Sequence, residues 1–346
     1  MKILHLGFHS GVQNDLDYIA QKLGFHIDFK LFSDGENTNN CTLYSVGHDR
    51  AATTWKNLKD MYNQYDLIIT SDTAPISRVF LQNNWSKPLI IWICNRIDYF
   101  DANSRDCEFP DKEYFDLMND VKNRPNVTIM GYTAFENYYA NNVIHLQPWG
   151  KPHGNMSIGD KVLTPIGKLS KQHLKSRARI SIVPKTPEKA ETFLCPPYHN
   201  DKNMINMEEK LRSLGIKAIN SRYNGPIEMA EYKGIIHIPY AWSNLALFEA
   251  NQLGVIHFIP SKEFFLELIE THNNFFWSPP FRPEALHLAE WYNDLHTDIF
   301  VYFNSWEDLV EKVNTLDYAT QKNKILEHAK KHHDLTLEEW KKILSL

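Results

Sequence analysis

Residues 234 to 261 read GIIHIPYAWSNLALFEANQLGVIHFIPS. The apolar run Gly234–Ile238 has strand length and stops at Pro239, which has no N–H to give to a ladder. The small polar turn Ala241-Trp242-Ser243-Asn244 then opens a helix over Leu245–Leu253, closed by Gly254, and a second apolar run, Val255–Ile259, follows at once. Two largely apolar strands joined by a helix are what a parallel sheet covered on both faces requires. Free backbone N–H groups at the start of such a helix suit a diphosphate. Glu249, one turn in, could accept hydrogen bonds from ribose hydroxyls.

The same alternation extends in both directions. Upstream lie a strand at Glu191–Cys195, a helix at Met204–Leu214 ended by Gly215, a strand at Ile216–Asn220 and a short helix at Ile227–Tyr232. Near the N-terminus, the strand Ile3–Leu6 runs into the turn Gly7-Phe8-His9-Ser10-Gly11. A helix follows with Leu16, Ile19, Ala20 and Leu23 on one face and Gly24 at its end. Further strands are expected at Asp66–Thr70, Leu89–Ile93 and Val127–Met130. Between about 148 and 187, five prolines and a set of lysines and arginines mark a crossing between two units. The expectation is therefore α/β, two doubly wound Rossmann-like domains facing a cleft. Residues 1–150 form the first, residues 151–320 the second, and a C-terminal helix in 321–346 returns to the first.

Composition narrows the class of function. At 346 residues, 43% hydrophobic and 23% charged, the chain can bury two cores. A net charge of −5 gives no basic surface for nucleic acid. Cys41, Cys94, Cys107 and Cys195 stand far apart with no CxxC, which argues against a disulfide scaffold or a four-thiolate zinc site and fits a reducing compartment. The sixteen histidines show no HExxH spacing, so no metal is expected. The five-residue opening run is too short for a signal-peptide core and no stretch reaches membrane-spanning length, so a cytoplasmic protein without integral membrane contact is expected.

Strand, P-x-x-x-S, a helix bearing Phe-Glu-Ala-x-x-x-Gly, strand and Pro-Ser together resemble the donor-binding half of GT-B-fold glycosyltransferases. The likeness is to the retaining group that includes glycogen synthase-like and lipopolysaccharide-type enzymes. It implies that Glu249 holds the donor ribose and that Ser243 and Asn244, after Tyr240, face the donor phosphates. It also implies that the loop carrying Arg222, Tyr223 and Gly225 receives the nucleotide base. Lys202 matches the lysine of the family's Arg-x4-Lys phosphate clamp, but Pro197 stands at the arginine position. Ala241 stands where the first acid of the family's Glu-x7-Glu pair would be. These departures leave retention or inversion open.

In the first half, Gly7 and Gly11 leave room for close approach of a sugar or phosphate. His9, Asp72 and Asp98 each fall at or just after a strand end, which makes them candidates for the base that takes the acceptor proton. Asp15-Leu16-Asp17 is read as a helix-start feature that favours the macrodipole, not as a metal–diphosphate motif.

The implied reaction moves a sugar from a nucleotide-diphosphate sugar to a hydroxyl of a glycan or other acceptor, with no bound cofactor and no metal. The alternatives are a sugar-nucleotide epimerase or hydrolase on the same frame, or a non-catalytic nucleotide- or sugar-binding protein.

Overall fold

A computed structural model describes residues 1–33, 35, 46–97, 112–142, 161–166, 187–196, 205–272 and 281–345. They divide into two compact units, Met1–Pro165 with Leu337–Leu346, and Ile166–Thr336.

In the first unit the order is β1 (Ile3–Gly7), α1 (Ser10–Leu23), β2 (Ile27–Leu31), α2 (His48–Tyr62), β3 (Leu67–Thr73), α3 (Arg78–Leu81), β4 (Leu89–Arg96), α4 (Lys112–Asp120), β5 (Val127–Gly131) and α5 (Ala134–Asn142). The strands lie in the order β2-β1-β3-β4-β5, all parallel, with Ile3 opposite Ile27 on one side and Leu67 on the other. Every residue of β1 and β3 is buried: apolar side chains dominate β1 and open β3 at Leu67-Ile68-Ile69, and the polar residues His5, Thr70, Ser71, Asp72 and Thr73 are buried among them. Helix α1 buries Val12, Leu16, Ile19 and Ala20 and ends at Gly24 in the left-handed region (φ 79°), where only glycine sits without strain. At the start of α5, Thr133 and Glu136 form a capping box: the Thr133 N–H donates to Glu136 Oε2 at 2.6 Å, and Thr133 Oγ1 accepts from the Phe135 N–H at 3.1 Å. Burial pushes the Glu136 carboxyl up to about 7, against the pull of the two Thr133 hydrogen bonds.

Trp92, on β4, is fully buried. Its Nε1 donates to the Leu163 carbonyl at 3.1 Å, and its ring meets Trp340 edge-to-face at 5.2 Å. Leu163 and the end of the last helix, through Trp340, are thereby tied to the first sheet.

The second unit contains α6 (Pro187–Ala190), β6 (Phe193–Cys195), α7 (Met207–Ser213), β7 (Ala218–Asn220), α8 (Pro226–Met229), β8 (Gly234–Ile236), α9 (Leu245–Asn251), β9 (His257–Pro260), α10 (Lys262–Thr271), β10 (Phe300–Phe303), α11 (Trp306–Thr315) and the part of α12 (Tyr318–Leu344) up to Thr336, its remainder belonging to the first unit. Its parallel order is β10-β9-β8-β6-β7, which repeats the pattern of the first sheet. The expected elements are present but shorter at several ends. Helix α7 starts at Met207, because the Asn206 side chain accepts from the Glu209 N–H at 3.1 Å and so caps the helix there. Helix α9 ends at Asn251, and two turn residues lead to Gly254 (φ 67°). Asp15 and Asp17 fall beyond the first turn of α1, with Asp15 buried, so the macrodipole does not account for them. The basic crossing lies almost wholly outside the described residues.

Candidate active site

In both sheets the strand order reverses beside the first strand of the unit, between β1 and β3 and between β6 and β8. The C-terminal ends of strands at such a reversal are where open parallel sheets bind ligands. Each unit places predicted residues there.

In the first unit, β1 leads directly into the Phe8–His9 loop. Asp72, near the end of β3, is buried and adopts a left-handed backbone (φ 70°). Its Oδ2 accepts the backbone N–H groups of Phe8, at 2.5 Å, and His9, at 2.8 Å. Burial drives the Asp72 carboxyl above the usual range, and those two N–H groups and the nearby His9 ring pull against it. The exposed His9 side chain caps α1, with Nδ1 accepting from the Gly11 N–H at 3.1 Å. A neutral ring accepting at Nδ1 carries its proton on Nε2, so His9 offers a donor outward while that cap bond is made. Asp98 lies outside the described residues.

The approach of β1 to β3 explains Gly7. A Cβ there would stand 2.5 Å from Ser71 Oγ and 3.1 Å from Asp72 Oδ2. Ser71 Oγ is itself tied to the buried His5 Nε2 at 2.7 Å and cannot swing away without breaking that bond. Gly7→Ala is therefore expected to lower stability by about 2 kcal/mol. Urea unfolding would measure this, and a neutral substitution would refute the packing account.

In the second unit, β8 leads through residues 237–244 into α9. Asn244 is the N-cap of α9, and its Oδ1 accepts from the Ala246 N–H at 3.0 Å. Its Nδ2 donates to the Tyr240 hydroxyl at 3.2 Å. Tyr223, half-buried, packs on the cluster of Leu194, Met229, Ile235, Ala250 and Val255. Its hydroxyl is held above its ordinary pKa by burial and then by the negative charge of Glu249. Tyr240 shifts the same way through burial, the charge of Tyr223 and that of Glu290. Tyr223, Tyr240, Asn244 and Glu249 therefore form one neighbourhood of hydroxyls, amide and carboxylate. Ser243 lies half-buried in the same loop. Gly225 precedes α8 with φ 88°, a geometry that glycine alone takes easily, while Arg222 is exposed. Lys202 lies outside the described residues.

One residue in this neighbourhood carries no local sequence signal. Glu290 is buried, and its Oε2 accepts the Asn244 N–H at 2.7 Å. The Glu290 N–H donates to the Trp242 carbonyl at 3.1 Å, and Trp291 Nε1 donates to that of Ala241 at 3.2 Å. The loop ahead of α9 is thus clamped from a segment far along the chain. Two backbone N–H groups of the region expected to meet a diphosphate, those of Asn244 and Ala246, already have protein acceptors. Among the described residues, no group of three or more His, Cys, Asp or Glu side chains is disposed to hold a metal ion, and no helix is long and apolar enough to cross a membrane.

No protein-family model matches the sequence, and no curated protein matches it. Solved structures do. A trehalose-6-phosphate synthase, OtsA, matches with a TM-score of 0.50 at 9% identity, over 99% of this chain and 98% of its own. A trehalose-6-phosphate structure from E. coli bound with UDP-2-fluoro glucose gives the same score, identity and coverage. This chain has the GT-B fold. A UDP-GlcNAc 2-epimerase from Neisseria meningitidis bound to UDP-GlcNAc scores 0.45 at 12% identity, over 98% of this chain and all of its own. At these identities the GT-B likeness speaks to fold alone.

Proposed function

We propose that this chain transfers a sugar from a nucleotide-diphosphate sugar to a hydroxyl of a glycan or other acceptor. The observation that carries the reading is the gathering of Tyr223, Tyr240, Asn244 and Glu249 at the strand-order reversal of the second sheet, in a chain of GT-B fold. Glu249 accepts from the donor ribose, Tyr223 with Arg222 and Gly225 borders the base, and Tyr240, Ser243 and Asn244 lie toward the phosphates, with Lys202 completing the phosphate contacts. Gly11 allows close approach in the first unit. The proton of the acceptor hydroxyl passes to His9 once its ring releases the Gly11 N–H, and Asp72 holds the loop that presents it. Asp98 is the remaining candidate for that proton. On this reading residues 1–150 take the acceptor, residues 151–320 hold the donor, and the helix in 321–346 returns to the first domain. The protein works in the cytoplasm, without a metal.

Glu249→Ala is expected to raise donor KM by about tenfold, the loss of one charge-assisted hydrogen bond. Steady-state kinetics with the nucleotide sugar selected by a thermal-shift panel of UDP, GDP, CDP and ADP conjugates checks it. An unchanged KM would remove Glu249 from the donor site. Epimerisation or hydrolysis of that sugar nucleotide with no acceptor present, and no transfer with one, would replace the transferase reading.

A further inference from the structure

The second unit has a pocket of about 510 Å³ at the end of the sheet opposite the Tyr240–Asn244 loop. Its walls come from the residues that enter the strands: Glu191 before β6, Lys233 before β8, and Leu253 to Ile256 before β9. The end of α11 and the start of α12 complete it. It therefore opens at the N-terminal edge of the sheet, whereas Tyr240 and Asn244 follow a strand's C-terminal end. Its volume is that of a small-molecule site.

The lining has a definite chemistry. Leu253, Val255 and Val313 supply apolar wall, and Tyr232 and Tyr318 supply rings. Two lysines, Lys233 and Lys322, line it. Lys233 Nζ stands over the Tyr318 ring at 4.9 Å and the Phe193 ring at 5.5 Å, which fixes its stem. Among the described residues neither lysine meets a carboxylate within ion-pair distance. Nearby Lys189, by contrast, is spent on Glu228 and Glu231, at 2.9 Å each. The third charge in the lining is the exposed Glu191, so the lining carries two positive charges to one negative.

Gly254 sets the shape of one wall. With φ 67° it disfavours any side chain, and a Cβ there would stand 2.7 Å from Lys322 Cγ. The absence of a side chain at Gly254 leaves room for the Lys322 stem, which lines the pocket beside it. The same turn continues α9, the helix that carries Glu249.

We propose that this pocket binds a small organic anion, a carboxylate or phosphate monoester borne on an apolar ring, with the anion between Lys233 and Lys322 and the ring against Tyr232, Leu253 and Val313. The site is independent of the proposed donor site, and its failure would leave that reading untouched.

Phenyl phosphate is the probe, measured by isothermal titration on the full chain. It is expected to bind about tenfold more tightly than inorganic phosphate, because the ring adds buried apolar area, and benzyl alcohol is expected not to bind measurably. Lys233→Met with Lys322→Met keeps both stems on their neighbours and removes both charges, and should weaken phenyl phosphate by about tenfold or more. An unchanged thermal unfolding midpoint for the unliganded double variant shows that the fold is intact. Should that variant not fold, Lys322→Met alone, at an exposed position, gives the reading. Glu249→Ala should leave phenyl phosphate binding as it was. The proposal is overturned if phenyl phosphate does not bind, binds no better than inorganic phosphate, binds the charge-free variant equally well, or loses its site in Glu249→Ala.

Discussion

Lowering the pH from 7.5 to 5 is expected to remove about 4 kcal/mol of stability, a large part of what holds a typical protein folded. The cause is a set of histidines buried as neutral rings. Burial drives His5 and His296 down to about 3 and His257 to about 4, and for His296 the neighbouring His332 and His328 add to the effect. His237 moves the same way, through burial and then His257. In the unfolded chain these rings titrate near 6.5. Between that value and the folded values the unfolded state holds more protons, so stability is full above pH 6.5 and falls as the pH drops toward the folded pKa. Each of the three valued histidines contributes about 2 kcal/mol of loss by pH 5, or about 6 together. Glu136 works in the opposite sense. Its folded carboxyl titrates at about 7, so the folded state takes up its proton first and regains about 2 kcal/mol over the same range.

Urea midpoints at pH 7.5, 6.5 and 5 test this, with a steep decline expected below 6.5. His257→Phe keeps a ring against Trp291 and Phe300 and should recover about 2 kcal/mol of the pH-dependent loss. A midpoint that stays level from pH 7.5 to 5 would show that these rings accept protons where they stand.

Trp92→Ala is expected to cost about 4 kcal/mol, the scale set by truncating a fully buried large aromatic. The substitution removes the edge-to-face partner of Trp340, the neighbour of Tyr132 and the donor to the Leu163 carbonyl. Trp92→Phe keeps a ring and loses the indole N–H, so it should cost less, about 1–2 kcal/mol. The two variants thereby separate packing from hydrogen bonding. Residues 337–345 should also become sensitive to limited proteolysis in Trp92→Ala, since Trp340 is their buried anchor. A stability within about 1 kcal/mol of wild type would mean that the site collapses around the smaller side chain.

The parts of this molecule legible in the sequence are those governed by short-range rules. The mostly apolar run Ile3–Leu6 and the unbroken one Leu89–Ile93 announce strands buried on both faces, and the spacing of Leu16, Ile19 and Ala20 announces the buried face of α1. Gly24 and Gly254 mark chain reversals because a side chain is disfavoured at their backbone angles. Tyr223, Tyr240, Asn244 and Glu249 stand out in the sequence through the resemblance to GT-B enzymes, and the hydrogen bond from Asn244 to the Tyr240 hydroxyl is what the fold adds.

What only the tertiary structure decided are the partnerships between residues far apart in the chain. Glu290 reaches Asn244 across 46 positions, Asp72 reaches Phe8 and His9 across 64 and 63, and Trp92 reaches Leu163 across 71. No periodicity links such pairs, because each depends on which strands lie side by side and on how side chains fill the space between layers. The sequence alone makes Asp72 a free carboxylate at a strand end. The sheet turns it into the acceptor for two backbone N–H groups of the neighbouring strand's loop. A local pattern specifies where a group stands along the chain, while the hydrogen bonds it makes are set by whatever the fold brings within 3 Å of it.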